Sequence, residues 1–124
     1  MQQTSSSEGL LKLIQGISLF REFTPHEAQA VLRIAKSKKF SARQIIYEFG
    51  DPSTEMFILA KGALIVQSEK GVNIAQVAPG DPVGEIGVMT DALRSARVIS
   101  AEESVGLVIP KKDLLNLLKK IQKI

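Results

Sequence analysis

Two charged side chains of opposite sign lie in one glycine-containing stretch of this sequence. Glu85 follows Gly84 directly, and Arg94 with Ser95 comes shortly afterwards. A carboxylate accepts hydrogen bonds from a sugar hydroxyl, whereas a guanidinium suits a phosphate because its planar fork offers several N–H donors. A ribose closed onto its own phosphate would use both groups. This chemistry predicts a protein that senses a ligand rather than one that catalyses a reaction.

The same spacing also fits a simpler arrangement. Glu85 and Arg94 could form a salt bridge that holds a loop, and surface pairs of this kind stabilise a protein by little. To share one ligand, the segment between them must fold back as a short helix and a loop. In that case Gly84-Glu85-Ile86-Gly87 forms one helical turn with free N–H groups that attract an anion. The spacing leaves both alternatives open.

Composition excludes several other classes of site. The chain has 124 residues, which favours one domain, and it has no cysteine, so disulfides and thiolate metal sites do not arise. His26 is the one histidine, too few for the ligand cluster of a metal enzyme, and no serine lies in a nucleophile elbow. The net charge of +3 is mild for a nucleic-acid reader. The lysine clusters are interpreted as solvated faces.

Hydrophobic periodicity predicts helix, helix, a run of short strands, then helix. An amphipathic helix is expected around residues 10–17, and Thr24-Pro25 begins a second, closed by Lys36, Lys38 and Lys39. Short strands separated by turns predict a barrel or sandwich, and Lys111 to Ile124 has one apolar helical face. We therefore predict an α+β fold: a jelly-roll-like β-barrel flanked by N-terminal helices and a short C-terminal helix. Residues 1–9 are predicted to be a flexible tail, and residues 10–124 a single domain.

The stretch from Val83 to Val98, called the cassette below, resembles part of a known family. The resemblance rests on Gly50-Asp51, Gly62, Pro79-Gly80-Asp81, Gly84-Glu85-Ile86-Gly87 and Arg94-Ser95-Ala96. The chain is similar to the cyclic nucleotide-binding domains of bacterial catabolite activators, of the regulatory subunits of cAMP-dependent kinase and of cyclic-nucleotide-gated channels. The similarity runs from about Ile17 to about Leu118.

The resemblance implies a set of ligand-binding residues. Glu85 would bind the ribose 2′-hydroxyl and Arg94 the exocyclic phosphate oxygens. Ser95, with the backbone of Gly84 and Ile86, would complete the phosphate site. The sugar and base would lie against three further residues, Val66, Ile74 and Ala75. The resemblance implies no catalytic residue, metal or cofactor, and the serine after the arginine favours cAMP over cGMP.

Three features differ from the usual family pattern. Val83 stands where an aromatic residue is common, and Leu93 where proline is common. The long final helix that covers the base in the family has no counterpart before Ile124. We expect either that Leu118, Ile121 or Ile124 covers the base, or that a partner protein does.

The sequence therefore predicts a cytoplasmic cyclic nucleotide sensor, for cAMP or else cGMP, that acts on a separate protein partner. No DNA-binding segment and no membrane span are expected. The alternative is an interaction module that keeps the fold and has lost the ligand. An enzyme is a third class, for which the residues offer no catalytic constellation.

Overall fold

Residues 7–85 and 87–123 are described by the computed structural model, and their strands form two four-stranded antiparallel sheets. The strands are β1 Lys36–Phe40, β2 Ile45–Tyr47, β3 Glu55–Lys61, β4 Leu64–Gln67, β5 Asn73–Val77, β6 Pro82–Val83, β7 Arg97–Ser100 and β8 Ser104–Pro110. One sheet has the order β1-β8-β3-β6 and the other the order β2-β7-β4-β5. Their facing sides share an apolar cluster that includes Phe57, Leu64 and Val98.

This arrangement is consistent with the jelly-roll-like part of the prediction, but the two sheets do not close into the predicted barrel. Within the described residues, the hydrogen-bonded ladders stay inside each sheet, so β1, β6, β2 and β5 remain sheet edges. The two sheets are held by side chains packed between them rather than by continuous strand pairing.

The helices gather at one end of the sheets. They are α1 Ser7–Gln15, α2 Pro25–Ile34 and α3 Lys111–Lys120, with a 3₁₀ turn at Ser18–Phe20. A second apolar cluster joins them to β3 and β8 through Ile14, Val31, Ile58, Ile109 and Leu114. None of the helices in the described ranges has the length and apolar character that a membrane span requires.

The second helix begins where its cap places it, whereas the first begins earlier than expected. Thr24 caps α2 as predicted, since its hydroxyl accepts from the Glu27 amide at 3.1 Å and the Glu27 carboxylate accepts from the Thr24 amide at 3.0 Å. The first helix starts at Ser7, so residues 7–9, assigned to the tail from the sequence, belong to α1. Residues 1–6 lie outside the described residues.

The lysines expected to close α2 instead form an edge strand. The helix ends at Ile34, and β1 pairs with β8 from Lys36 opposite Val108 to Phe40 opposite Ser104. The four residues before Phe40 are exposed, and lysines on an edge discourage pairing with another chain. A strand with so few apolar side chains gives little periodicity, which explains why the prediction was wrong here.

The last helix stops earlier than its apolar pattern suggests. Gln122 has a φ of 60°, and its backbone N–H donates a hydrogen bond of 3.2 Å to the Lys119 carbonyl. The backbone N–H of Lys123 donates a hydrogen bond of 2.8 Å to the Leu118 carbonyl, which completes a Schellman motif. The Lys123 ammonium lies 3.4 Å from Glu27. The end of α3 is therefore fixed against the start of α2.

Candidate functional site

A cavity of about 440 Å³ lies against the cassette. This volume is within the range of small-molecule sites, and most of the lining is apolar. The cavity is lined by Ser53, Val66, Val77, Pro82, Val83, Gly84, Glu85, Gly87, Ala92, Leu93, Arg94, Ser95, Ala96 and Val98. It thus brings together five of the residues predicted to bind ligand: Val66, Gly84, Glu85, Arg94 and Ser95.

The other three predicted residues are not among them. Ile86 lies outside the described residues. Ile74 is 59% exposed and Ala75 is also exposed, and neither lines the cavity. Ala75 pairs with Val66 across β4 and β5, but β5 is an edge strand that is exposed as far as Gln76. In this structure the hairpin leaves Ile74 and Ala75 in solvent.

Arg94 is the buried cation of the cavity. Its side chain is only 7% exposed, and Nη2 donates a hydrogen bond of 2.7 Å to the carbonyl oxygen of Glu55. Nε and Nη1 are also buried, and neither has an acceptor among the described residues. Together these two atoms carry three N–H hydrogens. Leaving buried charged donors unpaired is costly, so the cavity has the chemistry of an anion site.

The backbone around Arg94 is held by the turn that follows β2. The Arg94 amide donates to the Asp51 carbonyl at 2.7 Å, and the Gly50 amide donates to the Arg94 carbonyl at 2.8 Å. A bridge between Pro52 and Leu93 continues this pairing. The Gly50-Asp51 turn, conspicuous in the sequence, therefore fixes the loop that carries the arginine.

Gly84 makes room for the guanidinium. Its φ is 82°, which disfavours any residue with a side chain. A Cβ atom at this position would lie 2.2 Å from Nη1 of Arg94. Backbone strain and lack of space both require glycine here.

Glu85 and Arg94 do not pair with each other. Glu85 is half-buried, and its Oε2 accepts a hydrogen bond of 2.9 Å from the amide of Leu19 in the 3₁₀ turn Ser18–Phe20. The interpretation of the two residues as a loop-holding salt bridge is therefore wrong. Both still line the same cavity, so a single ligand can reach both.

Three further residues of the site carry no signal in the sequence. Tyr47 lies beneath Arg94, with the guanidinium carbon 3.8 Å from its ring centre, and its hydroxyl donates to Glu55 at 2.6 Å. Burial, followed by the Glu55 carboxyl, raises the pKa of Tyr47, so this phenol stays uncharged. Ser53, 7% exposed, lies under Gly87. The strands β2 and β3 and the segment between them bring these side chains to the cassette from distant positions in the sequence, which spacing within the cassette could not reveal.

Comparison with known proteins agrees with this geometry. The family described as the cyclic nucleotide-binding domain matches residues 37–121, which include the whole cassette. The chain belongs to the cyclic nucleotide-binding domain family. This is a family of regulatory binding domains, although some relatives carry such a domain as one part of an enzyme.

Individual relatives show how widely the domain is shared. The cAMP-dependent protein kinase regulatory subunit of Neurospora crassa is 27% identical over 126 residues, covering 100% of this chain and 33% of that protein. Glutaminase 2 of Bradyrhizobium diazoefficiens is 27% identical over 93 residues, covering 75% of this chain and 15% of the enzyme. The chain thus spans a third or less of both relatives.

A solved structure shows the same fold. It is the regulatory subunit of a cAMP-independent protein kinase A from Trypanosoma cruzi bound to guanosine. Its TM-score is 0.82 at 22% identity, covering 91% of this chain and 41% of that one.

In the described part of this cyclic nucleotide-binding domain, the last helix contributes no residue to the cavity lining. Leu118 is 2% exposed and belongs to the helical apolar cluster, so the expectation that it covers the base is wrong. Ile121 is half-buried at the end of α3, and Ile124 lies outside the described residues.

Proposed function

We propose that this domain binds cAMP in the cavity and regulates a separate protein partner through the bound state. The observation that carries the proposal is the buried Arg94 guanidinium, whose Nε and Nη1 lack acceptors among the described residues. A phosphate supplies both the compensating charge and the missing acceptors, and charge-assisted hydrogen bonds of this kind are strong.

The remaining lining residues fit the rest of the ligand. Glu85 uses one carboxylate oxygen for Leu19, which leaves the other for the ribose hydroxyl. Gly84 lets the backbone approach the phosphate closely. Val66 and Val98 offer an apolar wall to the sugar and base.

The choice of cAMP has two supports. The Neurospora relative is a cAMP-dependent kinase subunit, and Ser95 follows the arginine. The Trypanosoma structure of the same fold contains guanosine, a nucleoside without phosphate. Guanosine would leave the Arg94 donors unpaired, so we expect this chain to bind it much more weakly than a cyclic nucleotide.

Calorimetric titration with cAMP, cGMP and guanosine tests the proposal. We expect cAMP to bind most tightly, and Arg94→Ala to lose about a hundredfold or more because the buried phosphate loses its charged partner. Arg94→Lys keeps the charge without the planar fork and should lose about tenfold. Absence of heat with both cyclic nucleotides, or equal affinity in Arg94→Ala, would refute the proposal.

A ligand-independent interaction module is the second candidate. Three apolar residues of the cassette and of the segment after β2 are exposed: Leu93 by 60%, Phe49 by 41% and Met89 by 38%. Exposed apolar surface of this kind suits a protein partner. Thermal melting separates the two functions, because cAMP at a hundred times its dissociation constant should raise the Tm by about 10 °C. An unchanged Tm together with partner binding would favour the interaction module.

A further inference from the structure

The position of the Arg94 side chain has to be enforced by its surroundings. Arginine has a long side chain with much rotamer freedom, and its donors bind an anion well only when the guanidinium plane is held in advance. The Glu55 carbonyl fixes one nitrogen, Nη2, at 2.7 Å. One hydrogen bond leaves the plane free to rotate about that contact, so a second constraint is needed.

Tyr47 supplies a surface on which the guanidinium plane can rest. The guanidinium carbon lies 3.8 Å from the ring centre, and both side chains are almost fully buried, with Tyr47 9% and Arg94 7% exposed. The face of an aromatic ring attracts a cation, and the attraction is strongest where water is excluded.

The tyrosine is in turn fixed by the residue that holds Arg94. Its hydroxyl donates to Oε2 of Glu55 at 2.6 Å, while the carbonyl oxygen of Glu55 accepts from Arg94. Glu55 therefore sets the ring and the guanidinium relative to each other. Because burial raises the pKa of Tyr47, the ring carries no charge that would change this contact.

We propose that Tyr47 is a positioning residue for anion binding: its ring holds the Arg94 guanidinium so that Nε and Nη1 remain available to a phosphate. This role rests on the proposed function, since it concerns the same cavity. The simpler alternative is that Tyr47 only fills the apolar cluster between the sheets, to which it also belongs.

Substitutions at Tyr47 separate the two roles. Tyr47→Leu keeps an apolar side chain and removes the ring face, so we expect cAMP affinity to fall about tenfold to thirtyfold. Tyr47→Phe keeps the ring and loses only the hydroxyl, so this variant should retain most of the wild-type affinity for cAMP. The matched control is Phe40→Leu, because Phe40 is a buried aromatic of the same cluster that packs edge-to-face against Phe57 rather than against Arg94.

Two measurements are made on each variant: calorimetric titration with cAMP, and the NMR signal of the Arg94 Nε–H group without ligand. The ring should shift this signal in the wild type, in Tyr47→Phe and in Phe40→Leu, and the shift should vanish in Tyr47→Leu. An unchanged signal or wild-type affinity in Tyr47→Leu, or an equal affinity loss in Phe40→Leu, overturns the positioning role alone. A wild-type chain that binds no cyclic nucleotide overturns the proposed function as well.

Discussion

The carboxylate of Glu85 accepts a 2.9 Å hydrogen bond from the backbone amide of Leu19. Leu19 lies in the 3₁₀ turn between α1 and α2, so one side chain of the cassette is tied directly to the N-terminal helices. Glu85 also lines the cavity. The proposed ligand site and the helical end of the molecule therefore share a residue, which gives the proposed regulation a physical route.

Substituting Glu85 tests this connection. Glu85→Ala removes the acceptor for Leu19 and for a ribose hydroxyl, so cAMP affinity should fall about tenfold or more and the Leu19 amide should exchange faster with solvent. Glu85→Gln keeps an acceptor for Leu19 and should preserve slow exchange. Calorimetry and amide hydrogen exchange provide the two readouts. Wild-type exchange at Leu19 in Glu85→Ala would disprove the connection.

Gly84→Ala should damage binding more than folding. Its Cβ would lie 2.2 Å from Nη1 of Arg94, so the guanidinium would have to shift from its position on Tyr47 and Glu55 to relieve the contact. The matched control is Gly80→Ala, because Gly80 also has a positive φ, 96°, but nothing lies within 4 Å of the added carbon. Both variants should lose roughly 1–2 kcal/mol in urea unfolding. Only Gly84→Ala should lose affinity, and equal affinity losses would argue against the proposed steric cause.

Gly87 and Ser53 should behave as a coupled pair. A Cβ at Gly87 would lie 2.6 Å from Oγ and 2.8 Å from Cβ of Ser53. Gly87→Ala should therefore lower the free energy of unfolding by about 1–3 kcal/mol, as overpacking does. Adding Ser53→Gly should recover at least about 1 kcal/mol of that loss, measured by urea unfolding in a double-mutant cycle. If the changes in unfolding free energy of the two single variants simply add in the double variant, the two residues do not compete for this space.

Glu27 should make stability fall in acid. The hydrogen bond from the Thr24 amide, together with Lys123, lowers the pKa of Glu27 below its usual 4.5. A lowered pKa in the folded state stabilises the protein above pH 4.5, and this contribution is lost as the pH falls through the lower value. Glu27→Gln should thus lower the Tm near neutral pH, and it should lower the Tm by less at about pH 3. A Tm difference independent of pH would contradict this assignment.

The sequence predicted those parts of the fold that depend on local signals. Thr24-Pro25 marked the start of α2 because a capping box is a local motif, and the Gly50-Asp51 turn marked the loop that fixes Arg94. The strand β1 was missed because pairing with β8, rather than its own side chains, makes it a strand. The end of α3 was missed because Gln122, not glycine, adopts the left-handed conformation.

The residues of the candidate site likewise fall into those that local sequence signals predicted and those that they did not. Gly84, Glu85, Arg94 and Ser95 are close in the sequence, and all four line the cavity. Tyr47 reaches Arg94 only through sheet pairing, and the hydrophobic periodicity of the sequence does not predict that contact. Ile74 and Ala75 were placed in the pocket by resemblance, but the exposure of edge strand β5 keeps them outside it.

A crystal structure of the chain with cAMP tests the central claim most directly. We expect phosphate oxygens within about 3 Å of Nε and Nη1 of Arg94, with the guanidinium still stacked on Tyr47 and the ribose hydroxyl on Glu85. Such a structure would show that the unpartnered donors exist to bind the phosphate. A nucleotide bound elsewhere, or one whose phosphate leaves both nitrogens without an acceptor, would contradict the account.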